Sequence, residues 1–179
     1  MLKKWKKLSE EVMHKNPWWT YKHDTFERVD GKVGDYYYGV CNGNAIVVPI
    51  LPDGKILMIN NYRYIRNQES LEFPCGGKEL GSTAEETARR ELLEETGYIA
   101  EKLIPAGVFQ GMNGVFENES HVFVAYVGEK AVQDQTLEPT EQAEIHIYTR
   151  EEVQKLINEG KIWDGHSLCT WALALQFLP

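Results

Sequence analysis

The stretch from residue 76 to residue 98, GGKELGSTAEETARRELLEETGY, constrains the fold of this chain more than any other. It predicts an α-helix with defined ends. Thr83 followed three residues later by Glu86 matches a capping box, with Ser82 as a second candidate N-cap, and Gly97 is placed to end the helix. About three helical turns lie between these signals, and a glycine-rich loop precedes them. We therefore expect the rest of the chain to be organised around this loop and helix.

Carboxylates of this helix fall on its apolar side. At about 100° per residue, the buried stripe is formed by three residues, Ala84, Ala88 and Leu92. Glu95 lies inside that stripe, with Glu91 on its flank and Glu94 farther round. At a separation of ~6 Å and an effective dielectric of ~20, two such charges repel by roughly 2–3 kcal/mol. The cluster therefore requires raised pKa values, a basic partner or a bound cation.

A bound cation is the favoured solution for this cluster. Arg89 and Arg90 project about 100° and 200° away from the stripe, so we expect neither guanidinium to lie in the cluster by default. Oxygen ligands favour a hard divalent ion, Mg²⁺ or Mn²⁺ as a substitute. The alternative is an ordinary polar last turn. The overlap of carboxylates with the buried stripe, next to a glycine loop, favours the metal site.

Length and charge bound the class of protein. The chain has 179 residues, enough for one compact domain with a core and an additional arm. Its net charge of −8 argues against nucleic acid or an anionic membrane as partner. The first residues resemble no signal peptide, and no apolar run is long enough to span a bilayer. Three cysteines without CxxC spacing favour free thiols and a cytoplasmic location: Cys41, Cys75 and Cys169.

The N-terminal region, residues 1–44, is predicted to be an arm separate from a main domain at residues 45–179. Residues 1–14 have a helical apolar pattern (Trp5, Leu8, Val12), which Asn16-Pro17 would end. Residues 18–40 alternate and predict two or three antiparallel strands with a turn at Asp30-Gly31. So many aromatic residues cannot be buried by a small sheet alone, so we expect the arm to pack on its own domain or on a second subunit. A homodimer built through the arm is our prediction.

The remaining chain predicts strands around the acidic helix and two helices at the end. The strands are expected at residues 45–50, 55–59, 101–109, 121–127 and 144–148, with a hairpin turn at 51–54. Residues 129–142 form a long acidic loop, which is typical of a functional or disordered segment. The helices are expected at 150–159, opened by Thr149, and at 166–178, where apolar residues almost all round predict full burial. This order predicts an α/β or α+β fold with a mixed sheet between helices.

The residues from Arg90 to Tyr98, RELLEETGY, together with Gly76, resemble the Nudix box. The family pattern is Gly, five residues, Glu, seven residues, then Arg-Glu-aliphatic-x-Glu-Glu-x-Gly. Ser82 stands where the pattern has its isolated glutamate, which leaves the number of metal ions open. The resemblance implies a Nudix α/β/α sandwich with a mixed sheet. It also implies a metal held by Glu91, Glu94 and Glu95.

The segment before the box resembles that of the ADP-ribose and ADP-sugar pyrophosphatases. Tyr62-Arg63 is followed by Glu72-Phe73-Pro74-Cys75-Gly76. The resemblance implies substrate contacts by Arg63, Glu72 and Gly76, and a metal contact by the backbone carbonyl of Cys75. No base stands beside Cys75, so we do not expect a nucleophilic thiol. Arg66 is either a phosphate ligand or an arginine paired at the surface.

The same subfamily implies roles for three further positions. It places a glutamate that binds metal or activates water at Glu141, with Glu138 and Glu144 of the acidic loop as alternatives. Together with Glu91 and Arg90 of the box, Glu141 completes the implied catalytic set. Subfamily arms are exchanged between subunits and reach the nucleotide pocket, so the paired tryptophans of the arm, Trp18 and Trp19, are candidates for stacking on adenine. Packing in a dimer or a core is the alternative.

The function that these features predict is that of a Mg²⁺-dependent pyrophosphohydrolase. The expected substrate is a nucleoside diphosphate sugar, with ADP-ribose or an ADP-sugar favoured. The products would be a nucleoside monophosphate and a sugar phosphate. Two alternatives stay open: another diphosphate, such as GDP-mannose or a dinucleotide, or a Nudix-fold binding module that has lost catalysis.

Overall fold

The computed structural model describes residues 2–137 and 141–178. None of the helices in that part of the chain is long and apolar enough to cross a bilayer. In chain order the elements are β1 (Lys6–Lys15), β2 (Thr20–Glu27), β3 (Val33–Val40), β4 (Asn44–Ile50), β5 (Ile56–Arg63), β6 (Gln68–Glu72), β7 (Cys75–Gly77), α1 (Ala84–Thr96), β8 (Ala100–Phe109), β9 (Phe116–Glu117), β10 (Ser120–Val127), β11 (Ala143–Tyr148), α2 (Arg150–Asn158), α3 (Gly165–Ala174) and a final 3₁₀ turn (Leu175–Phe177). They fall into two compact units.

The first unit combines Met1–Asn42 with the later segment Gln110–Glu119. Its sheet has the strand order β1-β2-β3-β9. The first three strands are antiparallel, and β9 pairs with β3 in parallel through Gly39 and Val40. The two or three antiparallel strands predicted for residues 18–40 are therefore confirmed as β2 and β3, joined by a turn at Asp30-Gly31.

The helix predicted for residues 1–14 is wrong. This segment forms β1, which pairs with β2 along its whole length, with register shifts that mark two irregular positions. Asn16-Pro17 is the hairpin turn between them. The Asn16 side chain accepts hydrogen bonds from the N–H groups of Trp18 and Trp19, both 2.9 Å long. Backbone pairing with the following strand has overridden a local apolar pattern that fits a helix.

The second unit combines Gly43–Phe109 with Ser120–Pro179. Its sheet has the order β11-β5-β4-β10-β8, with β6 paired to β5 and β7 to β4. β4 and β10 are parallel and the other pairs are antiparallel, so the sheet is mixed. Alternate residues of β4 face opposite layers. Ala45 and Val47 pack with Leu92 of α1, while Ile46 and Val48 pack with Trp171 of α3. The predicted α/β class with a mixed sheet between helices is confirmed.

The boundaries of α1 follow the signals read from the sequence. The Thr83 hydroxyl accepts from the Glu86 N–H, and the Glu86 carboxylate accepts from the Thr83 N–H, which completes the capping box. At the other end, Gly97 has φ of +75° and donates its N–H to Leu93 O. The predicted hairpin turn at residues 51–54 is also present.

The C-terminal helices differ in how well the sequence predicted them. α2 begins after the N-cap Thr149, as expected. The helix predicted over 166–178 is present as α3, which is followed by the 3₁₀ turn, but the prediction that it is buried is wrong because α3 buries one face only. Leu168 and Cys169 are exposed, whereas Thr170 and Trp171 are buried. An apolar composition all round did not distinguish the face on the sheet from the outer face.

Candidate active site

The centre of the candidate site is the contact between α1 and β7. Glu91 and Glu95 point from the helix toward this short strand, and only 8% and 6% of their surfaces are exposed. Glu91 lies against Gly76 so closely that a Cβ atom on Gly76 would be 1.9 Å from Glu91 Oε1. The box glycine is therefore required by the carboxylate packed against it. The predicted overlap of carboxylates with the buried side of α1 is present.

Glu95 is held by the backbone of the facing strand. The Cys75 N–H donates to Glu95 Oε2 over 2.8 Å. Burial and the neighbouring carboxylates raise the pKa of the Cys75 thiol well above its usual value, so the thiol is protonated at neutral pH. This protonation agrees with the expectation that Cys75 is not a nucleophile. This hydrogen bond joins β7 to α1 at Glu95.

Arg90 lies against the carboxylate cluster, so the helical-wheel expectation for this residue is wrong. Its guanidinium is 2.6 Å from Glu91 Oε1 and donates to Glu94 Oε2 over 2.8 Å and to Gly77 O over 3.2 Å. The long side chain curls back along the helix, which the direction of its Cα–Cβ bond did not reveal. Arg89 instead pairs with Glu85 over 2.9 Å, away from the carboxylate cluster, as expected.

Both buried carboxyl groups have strongly raised pKa values. Burial is the main cause for each, since it penalises the charged form. The pKa of Glu91 rises to about 7, where the attraction of Arg90 partly offsets burial and the charges of Glu94 and Glu141 add to it. The pKa of Glu95 rises to about 8, with the Cys75 N–H lowering it and the charges of Glu91 and Glu141 raising it. The cluster thus lacks enough positive charge of its own.

These shifts predict a pH-dependent stability in the absence of metal. The folded protein binds more protons than the unfolded chain between the usual pKa near 4.5 and the folded values of about 7 and 8. Stability should therefore fall as pH rises through this window. In a chelator we expect the wild type to lose more thermal stability from pH 6 to pH 8 than Glu91→Gln does, by calorimetry. An equal loss in the two proteins would contradict the assignment of these shifts.

A second buried carboxylate, Glu72, pairs with Arg63 at the end of β5. The guanidinium makes a two-pronged contact, with Arg63 Nε donating to Glu72 Oε1 over 2.8 Å and Nη2 to Oε2. This pair raises the pKa of Arg63, whose charge also acts on Cys75 and Glu95. Arg63 therefore borders the carboxylate cluster of α1. Arg66 lies apart, with its guanidinium 5.8 Å from the ring centre of Trp163.

The acidic loop brings one predicted residue to the cluster. Glu141 acts electrostatically on both Glu91 and Glu95, as their pKa shifts show. Glu144 lies on the exposed side of β11, where its carboxylate is 3.8 Å from His146 Nε2. Glu138 lies outside the described residues.

The tryptophan pair of the arm belongs to the first unit. Trp18 and Trp19 lie at the turn between β1 and β2, with 78% and 39% of their surfaces exposed. The ring of Trp19 is 5.9 Å from that of His14. Stacking of a base on either ring stays a prediction.

The donor set at the cluster suits a divalent cation. Glu91, Glu94 and Glu95 offer hard oxygen atoms, and the raised pKa values mean that a cation would stabilise their charged forms. Among residues 2–137 and 141–178, no three His, Cys, Asp or Glu side chains are gathered into a metal-binding group. Arg90 forms salt bridges with both Glu91 and Glu94, over 2.6 Å and 2.8 Å.

Some features of the site were missed by reasoning from the sequence. The contacts of Arg90 with Gly77 and of Cys75 with Glu95 depend on pairing between β7 and β4, which has no signal in three residues, CGG. The site nevertheless combines buried carboxylates, whose oxygen atoms suit a divalent cation, with an arginine at their border.

Comparisons with known proteins give the family. Residues 42–169 match the model of the NUDIX domain, and residues 5–38 match that of the nucleoside diphosphate sugar hydrolase N-terminal domain. An ADP-ribose pyrophosphatase of Bacillus subtilis (strain 168) is 32% identical, over 76% of this chain and 71% of the relative. A methanol dehydrogenase activator of Bacillus methanolicus is 30% identical over the same shares. A solved structure described as an ADP compounds hydrolase has the same fold, with a TM-score of 0.86, 20% identity, and coverage of 99% of this chain and 95% of that one.

The chain belongs to the Nudix family. The model match covers the whole second unit up to α3, including the glycine loop and the carboxylate helix. The protein is therefore a Nudix hydrolase that acts on phosphoric anhydride bonds, and its family works with a divalent metal ion.

Proposed function

We propose that this protein is a Mg²⁺-dependent pyrophosphohydrolase of nucleoside diphosphate sugars, with ADP-ribose or another ADP-sugar as substrate. The observation that carries the proposal is the pair of buried carboxylates, Glu91 and Glu95, packed against the Cys75–Gly76 backbone. The N-terminal match at residues 5–38 and the name of the Bacillus subtilis relative support this substrate class. The products are a nucleoside monophosphate and a sugar phosphate.

Glu91, Glu94, Glu95 and the carbonyl of Cys75 are the groups that would hold Mg²⁺. When bound, the cation neutralises charge that develops on the diphosphate oxygens. Arg90 keeps Glu91 and Glu94 oriented through its paired contacts.

Glu141 is the proposed general base. It accepts a proton from a water molecule, whose oxygen forms a bond to one phosphorus while the bridging P–O bond breaks. The bridging oxygen leaves with the other phosphate. Arg63, held by Glu72, is placed to bind the diphosphate and balance its charge. A side chain at position 76 would collide with Glu91, so the glycine keeps the backbone close to this carboxylate.

The test of this function is phosphate release from a panel of nucleotide diphosphates. With added phosphatase and Mg²⁺, we expect ADP-ribose and ADP-glucose to be hydrolysed with a higher kcat/KM than GDP-mannose or a dinucleotide. Preference for GDP-mannose would reject the ADP-sugar assignment and keep the reaction class. No hydrolysis of any member would reject the proposal and favour a binding module.

We also propose a cytoplasmic homodimer built through the first unit. None of the three cysteines forms a disulfide in the described part of the chain. β1 is a ten-residue edge strand whose side chains are all exposed, and the unpaired N–H and C=O groups of a long edge strand can pair with another chain. A second copy that covers this surface would also place Trp18 and Trp19 where a partner could use them for base stacking.

A substitution on β1 tests the dimer. Leu8 and Val12 are about half exposed, so Leu8→Glu with Val12→Glu should leave the fold intact while placing charge in the interface. Sedimentation at micromolar concentration should give twice the chain mass of 20.6 kDa for the wild type and a single chain mass for the variant. A wild-type monomer with full activity would contradict the dimer.

A further inference from the structure

The first part of the acidic loop is bonded to the C-terminal end of the carboxylate helix. Three hydrogen bonds join them: Val132 N–H to Gly97 O (2.8 Å), Gln135 Nε2–H to Glu95 O (2.6 Å) and Thr136 N–H to Glu94 O (2.7 Å). Two of these bonds come from the backbone. The bond from Gln135 is the one that a side chain makes, so it is the one that a substitution can remove.

The end of α1 needs these donors. The last four carbonyl groups of a helix have no partner inside the helix. A basic residue often satisfies them, but the last turn of α1 carries none and includes two glutamates. Gly97 N–H bonds to Leu93 O, and the loop supplies donors to the carbonyls of Glu94 and Glu95. The loop is therefore part of the way in which this helix ends.

Gly97 lies directly against the backbone of the acidic loop. The carbonyl of Gln133 lies so near that a Cβ atom on Gly97 would be 2.0 Å from it. The glycine of the box thus serves two purposes: it adopts the left-handed conformation that ends the helix and it leaves space for the loop backbone. A residue with a Cβ atom could not do both.

The far side of the loop is fixed to the sheet. The Tyr62 N–H donates to Gln142 O over 3.3 Å, which extends the pairing of β11 with β5. Tyr62 immediately precedes Arg63. Glu141 is therefore next to Gln142, which is bonded to the strand that carries Arg63. Six residues before Glu141, Gln135 is bonded to the helix that carries Glu95.

We propose that Gln135 is a positioning residue for Glu141. By attaching the loop to the end of α1 six positions before Glu141, Gln135 limits how far the general base can move from the carboxylates of the same helix. The same end of α1 then carries the carboxylates and holds the first part of the loop. This inference rests on the proposed function, in which Glu141 takes the proton from the attacking water.

The variant that tests this role is Gln135→Met, which keeps the length of the side chain and removes its donor. We expect kcat on ADP-ribose to fall about 10- to 100-fold, because a small displacement of a catalytic group costs this much, with KM within about twofold of wild type. Gln133→Met is the matched control. Gln133 is in the same loop, and its amide donates to Thr136 Oγ1 over 3.4 Å, within the loop itself, so its loss should leave kcat unchanged.

A third variant and a second measurement complete the test. Gln135→Lys restores a donor and places a cation at a helix C-terminus, so kcat should stay within about threefold of wild type. Amide hydrogen exchange of residues 132–136 should speed up in Gln135→Met and stay unchanged in Gln133→Met, with no substrate present. If the wild type fails to hydrolyse any diphosphate of the panel, the proposed function is rejected. The exchange rates still show whether Gln135 holds the loop on α1. Wild-type kcat, or unchanged exchange, in Gln135→Met would overturn the proposal.

Discussion

Replacing Glu95 by glutamine should reduce kcat by at least about 100-fold while leaving the fold intact. Residues that only orient metal ligands already cost about 10- to 100-fold when they are replaced, so a ligand itself should cost no less. Glutamine keeps the volume of Glu95 and can still accept the hydrogen bond from the Cys75 N–H. It removes the charge that a cation requires. Steady-state kinetics with varied Mg²⁺ would measure the loss.

The control for this variant is Glu86→Gln on the same helix. Glu86 is exposed in the first turn, where a glutamine can still accept the bond from the Thr83 N–H. Its kcat should stay close to that of the wild type. Because the pKa of Glu95 is raised to about 8, Glu95→Gln should also be at least as stable as wild type in a chelator at pH 8. Activity of Glu95→Gln within threefold of wild type would refute the metal-site assignment.

Gly97→Ala should strongly destabilise the protein, although it adds only one methyl group. An alanine at φ of +75° costs about 1–2 kcal/mol by itself. Its Cβ atom would also be 2.0 Å from the carbonyl of Gln133, which belongs to backbone and cannot rotate away. The loop would have to move, so we expect a total loss of about 3–5 kcal/mol in the free energy of unfolding, measured in urea.

Gly81→Ala separates the two contributions. Gly81 also has a positive φ, of +92°, but a Cβ atom there would meet nothing within 4 Å. This variant should lose the conformational part alone, about 1–2 kcal/mol, and should keep the loop attached to α1. Equal losses for Gly81→Ala and Gly97→Ala would show that the contact with Gln133 contributes nothing.

Local signals predicted the parts of this fold whose cause is local. The capping box of Thr83 and Glu86 and the left-handed Gly97 act within a few residues, so the limits of α1 could be read directly. The arm shows the opposite case. Residues 6–15 have an apolar pattern that suits a helix, yet their pairing with β2, from Lys15 with Thr20 to Lys6 with Glu27, decides the structure. A pattern in one segment holds no information about its partner.

The site divides in the same way. The helical period placed Glu91 and Glu95 on the buried side, because burial follows the backbone direction of each residue. It misplaced Arg90, whose contacts depend on four rotatable bonds and on the carbonyl of Gly77 from another element. Attachment of the acidic loop through Gln135 had no detectable signal, since one glutamine in a polar loop resembles any other.

The first unit is completed by a strand that is synthesised late. Val40 at the end of β3 pairs with Glu117 of β9, which stands 77 positions farther along the chain. A ribosome that adds about 5–20 residues per second needs roughly 4–15 s to cover that distance. During this interval the edge of β3 in the three-stranded arm has no partner strand, while most of the sheet of the second unit emerges. Vectorial synthesis therefore cannot finish the N-terminal unit first, and a ribosome-bound chain would have to keep an aromatic-rich edge from pairing with neighbouring nascent chains.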